Sequence, residues 1–536
     1  MRRKLCSRLL GPLLVLTLLL LVPVVNGEAA LRLITIVGVS DWHGQLDPLS
    51  LNIDGQPKWV GGAATLKYYF DEARRRNPQG TIVVTAGDAI GATPPISNFF
   101  ADVPAIEAQN AMGFDIDTLG NHHFDNGLGR LRRLMDLARF HYVAANVSGL
   151  DGQMLAPPYH VFVKNGVKVG IIGIANPGTA EIVGARDVAN YKFLDPAPII
   201  NRHARQLRDQ GIDIIVVIAH IGARAVRQDG VPIGPLGELA RQVRGVDVLI
   251  GDHTDVSVNA VVNKTLVIEN RSQGAQYAVI DLEYDVSRKT VVQKSAILRW
   301  TYVEGARPDQ KVQAMIDKYR DQLQPHLDRK IGETAVLLAR ARGESPLGNL
   351  VTDIMRKKYN VQLAFYNSGG LRADIPSGYQ PADKALRRPA PSYTAGPPFD
   401  IVRGDFFAVE PFGNLAVTFK ITGETLWQAL ENSVSRSPLQ ISGFKYVFDP
   451  RMPPGERVRS VNTADGTPIP RDSTEYSVVT IGFLYNGGDG YTMLNNGTGT
   501  TRELITDILS NAVKQMGAIN VRVEGRIIRA GTSFNP

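Results

Sequence analysis

Cysteine is all but absent. The 536 residues contain one, Cys6, and it lies in a leader-like segment, so the rest of the chain has no disulfide, no thiolate ligand and no thiol nucleophile. Any metal must be held through nitrogen and oxygen, donors that suit zinc, manganese, magnesium or iron. Excess charge is equally scarce outside the leader. Of the formal net charge of +7, Arg2, Arg3, Lys4 and Arg8 carry four, which leaves too little elsewhere for a nucleic-acid footprint. Nothing near the C-terminal Gly531-Thr532-Ser533-Phe534-Asn535-Pro536 is apolar enough for a second anchor. No repeat or low-complexity array interrupts the chain, and a composition of 44% hydrophobic and 21% charged residues excludes a disordered or fibrous protein.

What is present begins with a basic start, an apolar run from Leu9 to Val25, and Asn26-Gly27-Glu28-Ala29-Ala30. This is the layout of a signal peptide over residues 1–27, with cleavage after Gly27 or Ala30. The alternative is an uncleaved signal anchor, because the run falls just short of a spanning helix. The expectation is an exported protein, periplasmic, cell-surface or extracellular, with a membrane partner only if the leader is uncleaved. The length exceeds what one hydrophobic core supports, so two domains are expected.

Apolar strand-like runs then alternate with helical patterns, and five of the runs end in ligand-type residues. Leu31 to Ser40 leads to Asp41-Trp42-His43, Thr81 to Thr85 to Gly87-Asp88, and Phe114 to Leu119 to Gly120-Asn121-His122-His123-Phe124-Asp125. Ile212 to Ala219 leads to His220, and Val246 to Ile250 to Gly251-Asp252-His253-Thr254-Asp255. Asp41 and His43, two apart on an extended segment, would point the same way. A helix cap explains one polar strand end, but hardly five, and the C-terminal rim of an open α/β sheet is where ligands bind. Asp41, His43, Asp88, Asn121, His220, His253 and Asp255 give seven candidate ligands. Two divalent ions sharing a carboxylate, with a hydroxide between them, would use them all and would clamp a transferring phosphoryl group.

These blocks, in this order, resemble the signature of the calcineurin-like metallophosphoesterases. Asn121-His122-x-Phe124-Asp125 is similar to the version in exported 5'-nucleotidases and UDP-sugar hydrolases. The resemblance implies a four-layered α/β/β/α domain over residues 31–302. It implies two divalent ions (zinc, manganese or magnesium), one at Asp41, His43, Asp88 and Asp255, the other at Asp88, Asn121, His220 and His253. His122, oriented by Asp125, would stabilise the phosphoryl transition state or assist the leaving group. Two departures stand out. Asp252 intrudes into the last block and Asp255 takes its final place, which makes the site richer in oxygen and favours manganese or magnesium. His123 replaces a frequent glutamate and is expected to be a neighbour of the site.

Asp309 to Lys330 has a helical pattern flanked by prolines and reads as a linker helix over 303–330. The Pro-rich stretch 376–398 reads as a loop. From residue 331 to 536 glycine and asparagine turns replace the histidines, and each alone reads as an ordinary turn before it reads as a site. Together they are similar to the C-terminal 5'-nucleotidase domain, a second α/β nucleotide-binding domain. That resemblance implies that Phe412 and Phe483 stack on a base, that Asp489 accepts from ribose hydroxyls, and that Asn367, Arg372 and Arg342 hold the phosphate side. The expected activity is hydrolysis of nucleoside 5'-phosphates, with substrate bridging the two domains. Cyclic 2',3'-phosphodiesters, nucleotide sugars, the sulfur chemistry of a thiosulfate-oxidation relative, or simple nucleotide capture at a surface are the alternatives. The implied partner is a small nucleotide, with neither nucleic acid nor protein required.

Overall fold

The computed structural model describes residues 31–183 and 188–531. The leader, with Cys6 and both readings of residues 1–27, lies outside them. Among the described residues no helix is long and apolar enough to cross a membrane.

Side-chain alternation explains why the strands that lead to the ligand-type residues are so largely apolar. In Leu31–Val39, Ile34 and Ile36 enter one core while Val37 and Val39 enter another. In Ile214–Ala219, Ile214, Val216 and Ile218 enter that same first core, and Ile215, Val217 and Ala219 enter a third. Successive side chains point to opposite faces, so a strand covered on both faces is hydrophobic at every position.

The shared core lies between two six-stranded sheets. The first runs Thr290–Trp300, Gln276–Asp285, Leu31–Val39, Thr81–Thr85, Ile116–Thr118, His141–Val143 in spatial order. The second runs Val258–Val262, Thr265–Glu269, Val248–Ile250, Ile214–Ala219, Val167–Ile174, Tyr159–Lys164. Helices Ala63–Arg76, Val103–Met112, Gly127–Leu137 and Gln310–Leu327 cover the outer face of the first sheet, and Pro196–Asp209 and Pro235–Gln242 that of the second. This is the four-layered α/β/β/α architecture that the resemblance implied. The strands that carry the ligand-type residues are parallel within each sheet, so their C-terminal ends emerge together.

Helix Gln310–Leu327 starts on an Asp309 cap that accepts from the N–H groups of Lys311 and Val312, and it buries Val312, Ile316, Leu323 and Leu327 with the helices of the first sheet. Beyond it a second α/β body forms around its own core. A five-stranded sheet, Gln440–Ser442, Leu363–Tyr366, Glu475–Ile481, Leu415–Thr422, Thr500–Leu504, packs with helices Pro346–Tyr359, Gly423–Arg436 and Ile505–Met516.

The Pro-rich stretch is a strap held by charge. Arg388 and Asp405 are 2% and 0% exposed and meet at 2.8 Å. The same guanidinium donates to the carbonyls of Ser377 and Tyr379, while Tyr379 Oη and Ala382 N donate to Asp328, just past the end of helix Gln310–Leu327. The stretch therefore ties the helix to the second body. Arg388→Met should leave Asp405 buried without a counter-charge and cost about 3 to 5 kcal/mol, read as an earlier thermal unfolding transition. A transition within a degree of wild type would show that the pair does not hold the strap.

Candidate metal centre and substrate pocket

The sheets deliver their strand ends to one rim, where backbone shape does the final placing. Leu31–Val39 ends two residues before Asp41, so Asp41 and His43 do not converge by strand alternation. They converge because both sit in left-handed backbone, at φ 40° and 48°. Asp88 and His253 share that region, at 45° and 83°. Non-glycine residues rarely adopt it, and such outliers gather where a site dictates backbone shape. Gly120 is required for a different reason: a Cβ there would collide with Asp88 Oδ1.

Three overlapping groups result, Asp41–His43–Asp88, Asp88–His220–His253 and Asp41–His220–Asp252, each with one ligand atom per residue within 4.8 Å of the others. Asp88 is shared by the first two. Its Oδ2 lies 2.9 Å from His220 Nε2, and its Oδ1 accepts the backbone N–H of His122 at 2.9 Å. Asn121 Oδ1 and His253 Nδ1 each lie 3.1 Å from His220 Nε2. His43 Nδ1 faces the Gly91 carbonyl at 2.8 Å and His220 Nδ1 the Ala86 carbonyl at 3.2 Å. A carbonyl only accepts, so these nitrogens carry the protons and the Nε2 lone pairs turn inward, the tautomer a histidine needs to hold a metal through Nε2.

The cluster calls for positive charge. Burial opposes ionisation of Asp88, yet the neighbouring His220 and His122 hold its carboxyl well below the usual range. Burial pushes His43 down to about 3, which keeps that imidazole neutral. Burial also lowers His220, but Asp88 and Asp252 pull it up further and the net shift is upward. Inward-facing oxygens and imidazole nitrogens need either a proton among them or a cation, and this nitrogen–oxygen set suits divalent ions.

His122 occupies the short turn Asn121–Phe124, with Nδ1 2.7 Å from Asp125 Oδ2. Burial lowers its pKa, while Asp125 and Asp88 raise it by more, so the net shift is upward. The ring stacks on Phe412 of the second body, 5.7 Å between centroids and 24° between planes. The Arg372 guanidinium lies 6.0 Å over the same phenylalanine and within electrostatic reach of Asp41, Asp125 and Asp88. Asn98 donates to the Pro411 carbonyl across the same junction. Asn367 Nδ2 donates to Asp489 Oδ2 at 2.9 Å, and Phe483 packs at the edge of the second core beside Gly488.

Two expected residues are not brought in. Asp255 is 56% exposed at the side chain and paired with Arg271 at 3.1 Å, and it also accepts from Ser272. The left-handed turn at His253 breaks the alternation that would have aimed it beside the histidine. Arg342 is exposed, and its backbone carbonyl accepts from Ser437. Arg340 is the arginine near Arg372, with Nη1 donating to the Leu371 carbonyl at 3.4 Å. The run Ala339-Arg340-Ala341-Arg342-Gly343 gives no register by which to choose between them. His123 is buried behind Asp88, its Nδ1 accepting from Gly120 N at 3.2 Å. Sequence reading also missed Glu269, a buried carboxyl pushed up to about 9 by burial. It accepts from Ala223 N and Thr254 Oγ1 and so fixes the loops that carry His220 and His253.

Comparison with known proteins bears on the fold and on the second body. The family model described as 5'-nucleotidase, C-terminal domain, matches residues 330–496. Endonuclease YhcR of Bacillus subtilis is 30% identical over 84% of this chain, and the chain spans 37% of that relative's length. Snake venom 5'-nucleotidase of Gloydius brevicauda is 29% identical over 94% of this chain and 90% of its own. The crystal structure of a 5'-nucleotidase precursor from Thermus thermophilus superposes with a TM-score of 0.78 at 27% identity, covering 94% of this chain and all of that one. Residues 330–496 thus match the 5'-nucleotidase C-terminal domain, and over nearly its whole length the chain is similar to 5'-nucleotidases in sequence and in fold.

Proposed function

We propose that this chain is an exported, metal-dependent hydrolase that converts nucleoside 5'-phosphates to nucleoside and phosphate. The observation that carries the reading is the facing of two chemistries across one junction. The buried Asp and His groups lie on one side, and Phe412, stacked on His122, with Arg372 on the other. Asp41, His43 and Asp88 would hold one divalent ion, and Asp88, Asn121, His220 and His253 the other. Such ions, when bound, polarise a phosphoryl oxygen and lower the pKa of a water.

The remaining work falls to the chain. Arg372 presents a planar fork of donors to the phosphate. Phe412 and Phe483 offer stacking faces worth about 1 to 3 kcal/mol per base without selecting one base strongly. Asp489 accepts from ribose hydroxyls, held by Asn367. His122, kept in one orientation by Asp125, holds a proton at Nε2 where the departing nucleoside oxygen needs one. Domain bounds of 31–302, 303–330 and 331–536 divide the chain into a segment for the metal chemistry, a linker, and a segment for nucleotide recognition.

The test is phosphate release from a nucleotide panel with manganese, zinc, magnesium or chelator. Cleavage of monophosphates that chelator abolishes and one metal restores is the expected result. Cleavage of 2',3'-cyclic nucleotides or nucleotide sugars alone would overturn the substrate and leave the metal chemistry standing. Nucleoside binding without any hydrolysis would overturn the enzymatic reading in favour of capture.

A further inference from the structure

The loop after Val248–Ile250 holds two acids, and the structure treats them in opposite ways. Asp255 faces solvent and is spent on Arg271 and Ser272. Asp252 is 0% exposed. Its Oδ1 accepts the backbone N–H of His253 at 2.9 Å. Its Oδ2 is buried with no hydrogen-bond partner and lies 3.8 Å from His220 Nδ1. The same carboxylate shares a 4.8 Å sphere with Asp41 and His220.

A buried carboxylate with an unsatisfied oxygen is costly unless a cation or a donor meets it. No Lys or Arg reaches Asp252 among the described residues; Asp41, His220 and His253 surround it. Asp41 belongs to the group that would hold one ion and His220 to the group that would hold the other. A carboxyl group this close to both is placed to set the spacing of the two groups and, beside the Ala86 carbonyl, to favour the His220 proton at Nδ1, which leaves Nε2 free for the metal.

We infer that Asp252, in place of Asp255, is the acid of this loop that serves the metal centre, as a positioning residue that holds Asp41 and His220 for their respective ions. The inference rests on the divalent-metal reading proposed above. It also supplies charge balance: with Asp41 and Asp88, Asp252 sets three carboxylates around the two ions, a setting that favours oxygen-loving cations over softer ones.

The test titrates Mn²⁺ into metal-free Asp252→Asn, Asp255→Asn and wild-type protein, with thermal unfolding of each before and after metal. Asp252→Asn should weaken Mn²⁺ binding about 10- to 100-fold, the usual effect of losing an outer-shell partner, and should shrink the rise in Tm on adding metal. Its metal-free Tm should match that of wild type, because asparagine keeps the side-chain oxygen that accepts from the His253 N–H; a purely structural role would lower it. Asp255→Asn should bind Mn²⁺ as wild type does. Unchanged Mn²⁺ affinity in Asp252→Asn, or the loss appearing in Asp255→Asn, would overturn the inference while the metal reading stood. A wild-type protein that took up no Mn²⁺, Zn²⁺ or Mg²⁺ would overturn both.

Discussion

Asp88→Ala is expected to reduce phosphate release to background, a fall beyond the ~10²- to 10³-fold that follows removal of a single transition-state donor. The expectation rests on how many partners one carboxylate serves. Asp88 belongs to two of the overlapping ligand groups, meets His220 Nε2 at 2.9 Å and anchors the backbone N–H of His122 at 2.9 Å. It is 1% exposed, so no solvent oxygen replaces it at low cost. Alanine would remove a ligand from both ions at once and release the turn that carries His122. Metal content measured after dialysis should fall with activity. A folded Asp88→Ala protein that kept both its metal and its turnover would contradict the shared-ligand assignment.

His122→Ala should separate chemistry from metal binding. The expected loss is about 10²- to 10⁴-fold in kcat, the range for a general acid or base, with metal content unchanged. His122 is a side chain apart from the ligand groups: its Nδ1 is engaged by Asp125 at 2.7 Å, and its ring faces Phe412. Asp125→Asn should fall between wild type and His122→Ala, because the imidazole remains but loses the carboxylate that orients it and raises its pKa. Parallel loss of metal in His122→Ala would move this histidine from catalysis to ligation. Full turnover would remove it from the mechanism.

How far the sequence could be read depended on whether a residue's direction was set by regular structure. Leu31–Val39 and Ile214–Ala219 are apolar at nearly every position, and that alone required burial on both faces and so a layered α/β protein. The polar residues that close those strands could be placed at one rim because parallel strands end together. The missing thiols fixed the donor chemistry in the same way, before any geometry was known. The expectation for Phe412 came only through resemblance, since nothing local distinguishes a phenylalanine at a site from a core one; the structure sets its ring against His122.

The sequence by itself determined the fold class, the nitrogen and oxygen character of the centre, and the strand ends that supply it. Tertiary structure alone decided which of Asp252 and Asp255 turns inward, which of Arg340 and Arg342 lies beside Arg372, and that the Pro-rich stretch, held by the Arg388–Asp405 pair, reaches the end of helix Gln310–Leu327 through Tyr379 and Ala382 on Asp328. Each of these lies in a loop or at its edge. There a single left-handed residue such as His253 redirects every side chain after it, and the partner that fixes the outcome, Arg271 for Asp255 or Asp405 for Arg388, comes from a distant stretch of the chain. Periodicity carries direction along a strand or helix, but it stops at the last hydrogen-bonded residue, and beyond it only long-range contacts choose.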